Sequence, residues 1–310
     1  MSAESTFIDS LRALAAHPAA RGLLDDAAVL EFGGTRLVLT HDMLVEGVHF
    51  LPSDPPQDVA WKLLAVNLSD LAAKGARPLG VLLGFPLGDE VWDRAFVEGL
   101  CAALAAFGIP LLGGDTVTGP RVLGLTAIGE GTGPVPARSG ARAGDRLWVS
   151  GAIGDAGAGL RALRGELARN DALIERYRTP RPRLELGQAL APLVSAMMDV
   201  SDGLLIDARR MAEASAAALC IDLDAVPLSS AYLSVLGDGP EARLAAATAG
   251  DDYELLFAAA PNLTGDLLAL SESLGITLTP VGEFAAGAGL TLRDRSGAVA
   301  VPDRLGWEHG

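Results

Sequence analysis

The chain has 310 residues, 50% hydrophobic and 20% charged, with a formal net charge of −15. That balance fits one large or two ordinary folded domains with a substantial core, and it excludes wholesale disorder. The acidic excess argues against a nucleic-acid or anionic-membrane partner, and the longest apolar stretches, at 79–87 and 99–114, are too short to span a bilayer.

Glu4 and Asp9 stand near the start with no basic leader or apolar signal core, so a cytoplasmic location is expected. A first strand is predicted over 36–40, ending at His41-Asp42. A helix follows over 58–74, then a strand over 79–85 and a helix over 90–107. Two further strands, 109–112 and 122–128, are joined through GGDTVTGP. The order β-α-β-α-β-β predicts an α+β layer with its helices on one face of a sheet.

Gly, Pro and Arg replace periodic apolar residues in GTGPVPARSGARAG, at 131–144, which marks a boundary. A second α/β unit begins with a strand over 146–150 and the glycine-rich turn GAIGDAGAGL. A Pro/Arg connector, RTPRPR, precedes a strand at 197–200, a helix at 203–217 and strands at 218–223 and 253–259. A helix near 265–274 and strands near 279–283 and 290–293 close it. The expected domains are 1–135 and 136–310, with no internal repeat.

Aspartates in glycine-rich or apolar surroundings recur along most of this length. They are Asp25-Asp26 in LLDDAAVL, Asp42 in LTHDMLVEGVHF, Asp70 in AVNLSDLAAKGA, Asp115 in LLGGDTVTGP, Asp199 and Asp202 in MMDVSDGLLID, and Asp251-Asp252 in AGDDYELLF. Burying an ionised carboxylate costs several kcal/mol (~3 or more) unless it is paired. A fold that buries many supplies cations, and Mg²⁺ prefers carboxylate and phosphate oxygens. The pattern points to a multi-metal, phosphate-handling site built from distant segments.

Each motif also has a plainer reading. Asn67, Asp70 and Lys74 share one face of the predicted helix, as a solvent-facing stripe or as a stripe aimed at a site. Asp42 and Asp115 are expected just past strand ends, where open α/β folds place ligands, although single aspartates there also serve turns and caps. Ser201 or Asp202 fits a helix cap, and GDDYELLF fits a hairpin turn. The only lysines, Lys62 and Lys74, lie in no GxxxxGK[ST] loop, which excludes a P-loop NTPase. The glycines near 157–159 match a dinucleotide fingerprint weakly. His17, His41, His49 and His309 are dispersed, with His49 singled out because it follows the Asp42 segment. Cys101 and Cys220 lack CxxC spacing and read as reduced, buried thiols.

Taken in order, DDAAVL, THDMLVEGVHF, KLLAVNLSDLAAKGA, GGDTVTGP, ARSGARAGD, GDAGAGL, DVSDGLLID, GDDYELLF and GWEH resemble the thiamine-monophosphate kinase family. Its superfamily also holds aminoimidazole ribonucleotide synthetase and selenophosphate synthetase. The resemblance implies a two-domain α/β (α+β) fold, with an N-terminal ferredoxin-like sheet layer that dimerises and a C-terminal α/β domain. ATP and several Mg²⁺ ions would lie between them, and the γ-phosphoryl of ATP would pass to thiamine monophosphate. It also implies metal ligands at Asp26, Thr40, His41, Asp42, Asp70, Asp115, Asp199 and Asp202. ATP contacts would be Gly114, Asp115, Arg138 and Ser201, and thiamine-phosphate contacts His49, Asp251 and Trp307. No general base is implied, because a phosphate acceptor is already deprotonated near neutral pH. Leu24, His41, Lys74 and Asp251 depart from the family pattern, where glycine, a small hydroxyl residue, methionine and glutamate are usual. An aminoimidazole ribonucleotide synthetase-like enzyme and a non-catalytic nucleotide- or thiamine-phosphate-binding protein are the alternatives.

Overall fold

A computed structural model describes residues 3–308. His309, the last residue of the GWEH motif, lies outside them. The first half comprises α1 (Ala3–Arg12), β1 (Ala28–Phe32), β2 (Thr35–Val45) and α2 (Pro56–Ala73). It continues through β3 (Arg77–Leu87), α3 (Glu90–Phe107), β4 (Leu111–Thr118) and β5 (Val122–Gly131). These strands form one sheet in the order β1-β2-β5-β3-β4. β3 and β4 are parallel, and the helix α3 joins them; the other neighbours are antiparallel.

After an irregular segment the second half holds β6 (Arg146–Ser150), α4 (Asp155–Leu163), α5 (Asp171–Arg178), α6 (Leu184–Leu190) and β7 (Ala196–Asp199). Next come α7 (Leu204–Ala214), β8 (Ala218–Asp222), α8 (Ser230–Leu236) and α9 (Pro240–Ala247). β9 (Leu255–Ala259), α10 (Thr264–Leu274), β10 (Leu278–Ala285), β11 (Gly289–Asp294) and β12 (Gly297–Val299) complete it. Its sheet runs β12-β11-β8-β10-β6-β9-β7.

The helix α2 is the join between the halves. Pro at its first turn and the early Asp58 suit its N-terminus. Every residue from Lys62 through Ala73 is buried, the polar Asn67, Ser69 and Asp70 included, and so is Lys74 at its end. Such a helix, apolar nearly all round, packs on β2 and β5 on one side and on α6 and β7 on the other. Gly187 of α6 makes this approach possible, since a Cβ there would stand 2.0 Å from the Ala72 carbonyl oxygen.

Three expectations are corrected. β2 runs on to Val45, paired with β5 throughout, so Asp42 lies inside a strand rather than past its end. Asp115 likewise lies within β4, held by parallel pairing to β3. The cysteines are also not buried: Cys101 is exposed on α3 and Cys220 is half-buried. No helix among the described residues is long and apolar enough to cross a membrane.

Candidate functional site

Alternation along β2 turns Val38, Thr40, Asp42 and Leu44 toward α2 and leaves His41 and Met43 on the other face. Asn67 of α2 holds β2 in place: its amide oxygen accepts from the Asp42 N–H at 3.0 Å and its amide nitrogen donates to the Leu63 carbonyl at 2.9 Å. One turn on, Asp70 accepts a hydrogen bond from the Thr40 hydroxyl. Ser69 donates to Asp199, at the end of β7, at 2.5 Å. Asp26, just before β1, completes the cluster, and carboxylate oxygens of Asp26, Asp70 and Asp199 lie within 4.8 Å of one another.

The four carboxylates are not in the same electrostatic state. Burial, then the charges of Asp26 and Asp202, push Asp42 up to about 6. Burial and the neighbouring aspartates carry Asp70 and Asp199 well above the usual carboxylate range. Asp26 is the exception. Burial alone would raise it, but Lys74 and Arg138 outweigh that and hold it below the ordinary value. Arg138 bonds one Asp26 oxygen; Lys74 Nζ sits 2.8 Å from the other, which accepts no hydrogen bond.

Oxygen-only donors, with Asp70 and Asp199 each given a hydroxyl donor, fit a hard divalent cation. The residues that could hold it are Asp26, Asp42, Asp70 and Asp199, with Thr40 beside them.

Next to this cluster the β7–α7 turn is shaped by a residue the motif reading left without a role. Asp207 Oδ2 accepts the N–H groups of Ser201, Asp202 and Gly203 at 3.0–3.1 Å. Its other oxygen pairs with Arg210, which also holds Asp202. Burial and Asp202 raise Asp207 to about 7. Two further loops dock on this turn: the Asp251 N–H donates to the Ser201 carbonyl at 2.8 Å, and the Trp307 N–H to the Asp202 carbonyl at 2.9 Å.

Asp251 forms a second edge. One carboxylate oxygen takes the buried Lys62 ammonium at 2.9 Å and the other the Tyr253 hydroxyl at 3.0 Å. Lys62 also donates to the His49 carbonyl at 3.1 Å and lies 4.0 Å from the Tyr177 ring centroid. Asp251 and Tyr253 both have positive φ, at 70° and 51°, so this loop is held in a backbone form that non-glycine residues seldom adopt. The spacing of GDDYELLF gave no sign of it. Lys62 was legible only as an isolated charge in the apolar run WKLLAV.

Three sequence-derived assignments fall outside the cluster. The His41 ring lies on the far face of the sheet, bonded to Thr126 at 2.9 Å, so only its backbone faces the Asp42 side. Asp42, Leu125, Leu83 and Gly114 are in register across four strands, while Asp115 is in register with Met43 through Gly84 and Gly124. Asp115 therefore projects from the face opposite Asp42, about 14 Å away across three strand spacings. Gly114 has a structural reason to lack a side chain, because a Cβ there would meet the Leu83 carbonyl oxygen at 1.9 Å.

Two family models match: AIR synthase related protein, N-terminal domain, over residues 24–131, and its C-terminal domain over 142–295. The chain is 44% identical to a thiamine-monophosphate kinase of Caulobacter vibrioides, over 94% of this chain and 86% of that one. It is 39% identical to the thiamine-monophosphate kinase of Salmonella typhimurium, over 93% and 91%. The chain belongs to the thiamine-monophosphate kinase family. Among solved structures, the Stenotrophomonas maltophilia thiamine-monophosphate kinase superposes with a TM-score of 0.79, at 41% identity, covering 91% of this chain and 93% of that one. AaThiL complexed with AMPPCP and TMP superposes with a TM-score of 0.87, at 29% identity, over 100% and 99%. The two-domain AIR synthase-type fold is thus shared along the whole chain.

Proposed function

We infer that this protein phosphorylates thiamine monophosphate to thiamine diphosphate, transferring the γ-phosphoryl group of ATP directly to the acceptor phosphate. The observation that carries the reading is the adjacency of the two edges. A carboxylate cage on α2, β2 and β7 lies beside a loop that presents Asp251, within a chain 44% identical to a thiamine-monophosphate kinase.

Bound Mg²⁺ would neutralise the phosphate oxygens that must approach one another, which an acidic protein alone could not do. Asp26, Asp42, Asp70 and Asp199 are assigned to hold it, with Thr40, the His41 carbonyl and Asp202 as further oxygens. Arg138 and Ser201 are assigned to ATP, the first as a fixed cation and the second through the turn that Asp207 orders. His49, Asp251 and Trp307 are assigned to the acceptor, whose aromatic rings suit the indole face. Catalysis rests on positioning and charge neutralisation, and no residue is given the role of a base.

Gly114 and Asp115 lie outside this grouping, so their assignment to ATP and metal rests on the family resemblance. The division into residues 1–135, for nucleotide, metal and self-association, and 136–310, the C-terminal α/β domain, is part of the same reading. A homodimer is inferred from the uncovered outer face of the first sheet, where Met43 and Leu82 stand exposed. A cytoplasmic enzyme needing no nucleic-acid or membrane partner completes the picture.

The test is product formation. Purified protein with ATP, Mg²⁺ and thiamine monophosphate is expected to yield thiamine diphosphate and ADP in equal amounts. Consumption of ATP without the diphosphate would move the protein to another activity of the superfamily, and no consumption of either would remove the kinase reading.

A further inference from the structure

Lys74 carries no exposed surface and stands at the C-terminal end of α2, inside the acidic cluster. Its ammonium bonds Asp25, lies 2.8 Å from Asp26 Oδ2 and donates to the Met197 carbonyl at 3.2 Å. Asp25 is itself buried and fixed by Arg21 at 2.5 Å, so the lysine is anchored on a rigid partner as well as on the cage. Arg138 occupies the other oxygen of Asp26. Both Asp26 oxygens therefore face protein cations. Asp70 and Asp199 are different: each has a hydroxyl donor, Thr40 or Ser69, and among the described residues no cationic side chain bonded to it.

We propose that the Lys74 ammonium fills a cation position on Asp26 that a divalent ion would otherwise take, so that this cage holds one ion fewer than its carboxylates could accept. A divalent ion binds a carboxylate oxygen at about 2.0–2.1 Å when it is Mg²⁺. Placed on Asp26 Oδ2, it would share that oxygen with an ammonium 2.8 Å away, and the like charges would repel strongly in a buried setting. The ammonium cannot swing clear, because Asp25 and the Met197 carbonyl hold it from two other directions. Asp26 then keeps only what Lys74 and Arg138 leave of its oxygens, and divalent ions are held chiefly from the Asp42, Asp70 and Asp199 side. There burial and mutual repulsion leave the carboxyl groups short of positive charge.

This inference rests on the metal-dependent reading above and goes further by assigning ion number to a side chain. It is tested by counting ions rather than by turnover. Wild type and Lys74→Met are each mixed with AMPPCP and titrated with Mn²⁺, and free Mn²⁺ is read by electron paramagnetic resonance. Met keeps an unbranched chain of similar volume without the charge. The expected result is one additional ion per chain in Lys74→Met, a wild-type count in Lys74→Arg, and a larger Mn²⁺-induced rise in melting temperature for Lys74→Met than for wild type. If Lys74→Met does not fold, Lys74→Gln carries the same count. Equal stoichiometry in folded wild type and the neutral variant would overturn the proposal. A wild type that binds no Mn²⁺ would remove the metal reading itself, and this inference with it.

Discussion

The ammonium of Lys62, in the middle of α2, lies 2.9 Å from the carboxylate of Asp251, 189 residues further along the chain. The same nitrogen holds the His49 carbonyl, so one buried cation ties together two of the three residues assigned to the acceptor. Lys62 is only 2% exposed, whereas the Asp251 side chain keeps 28% of its surface, as a group poised between scaffold and ligand should. Replacing Lys62 by Met frees Asp251 to turn and releases the His49 segment. Steady-state kinetics is expected to show the KM for thiamine monophosphate rising roughly tenfold or more, with the KM for ATP little changed. Equal losses on both substrates would show that Lys62 supports the whole fold and not the acceptor edge.

Asp70→Asn separates the cage's chemical role from its structural cost. Asp70 carries the burden of burial and of three neighbouring aspartates, so removing its charge relieves repulsion in the metal-free protein. The variant should keep its circular dichroism and melt at a higher temperature than wild type without metal, while turnover falls at least about a hundredfold. Near-normal turnover would show that Asp70 does not hold the ion the transfer needs.

The raised carboxyl groups also fix the sign of a pH dependence. Asp42 binds its proton more tightly folded, near 6, than unfolded, near 3.8. Stability of the chelator-treated protein should therefore fall as pH rises from about 4 through 6, by about 3 kcal/mol from this residue. Asp26 works in the opposite direction: its depressed value stabilises the fold above about pH 4 and is lost on acidification below it. Denaturant titrations at several pH values in EDTA should show the decline. Adding Mg²⁺ at pH 8 should restore most of the loss, because ligand binding favours the folded state. A flat profile in EDTA would mean that the cluster relaxes when empty of cations.

Much of this site could be read from the chain before any coordinates. The polar stripe on α2 showed in the spacing of Asn67, Asp70 and Lys74, because apolar residues filled the remaining helical positions. The helix over 90–107 and the strand over 146–150 came out at their observed limits, each bounded by turn residues and patterned within. What local pattern could not give was direction across the sheet. Asp42 and Asp115 look alike in sequence, yet strand register sends them to opposite faces. Nor could spacing reveal that Lys62 reaches Asp251, or that Asp207 gathers three backbone N–H groups, since both depend on loops brought in from elsewhere.

That register gives the outer face of the first sheet its own prediction. β4 is exposed along its length, and the side facing away from α2 carries Met43 and Leu82, with His41 and Asp115 among them. Gly84 and Gly124, in register between Met43 and Asp115, leave the middle of this surface flat. A flat apolar face without covering helices favours a second sheet packed against it, at about 10 Å in face-to-face packing. Introducing charge at its centre, as Met43→Asp with Leu82→Asp, should halve the mass seen by sedimentation without altering the far-ultraviolet spectrum, since neither residue belongs to the buried core. If the doubly substituted protein sediments like wild type, the two sheets do not meet there, and Asp115 then has no partner surface to explain its outward course. If it becomes monomeric and also loses activity while Asp70 and Asp251 are intact, the outward face and Asp115 with it belong to the functional assembly.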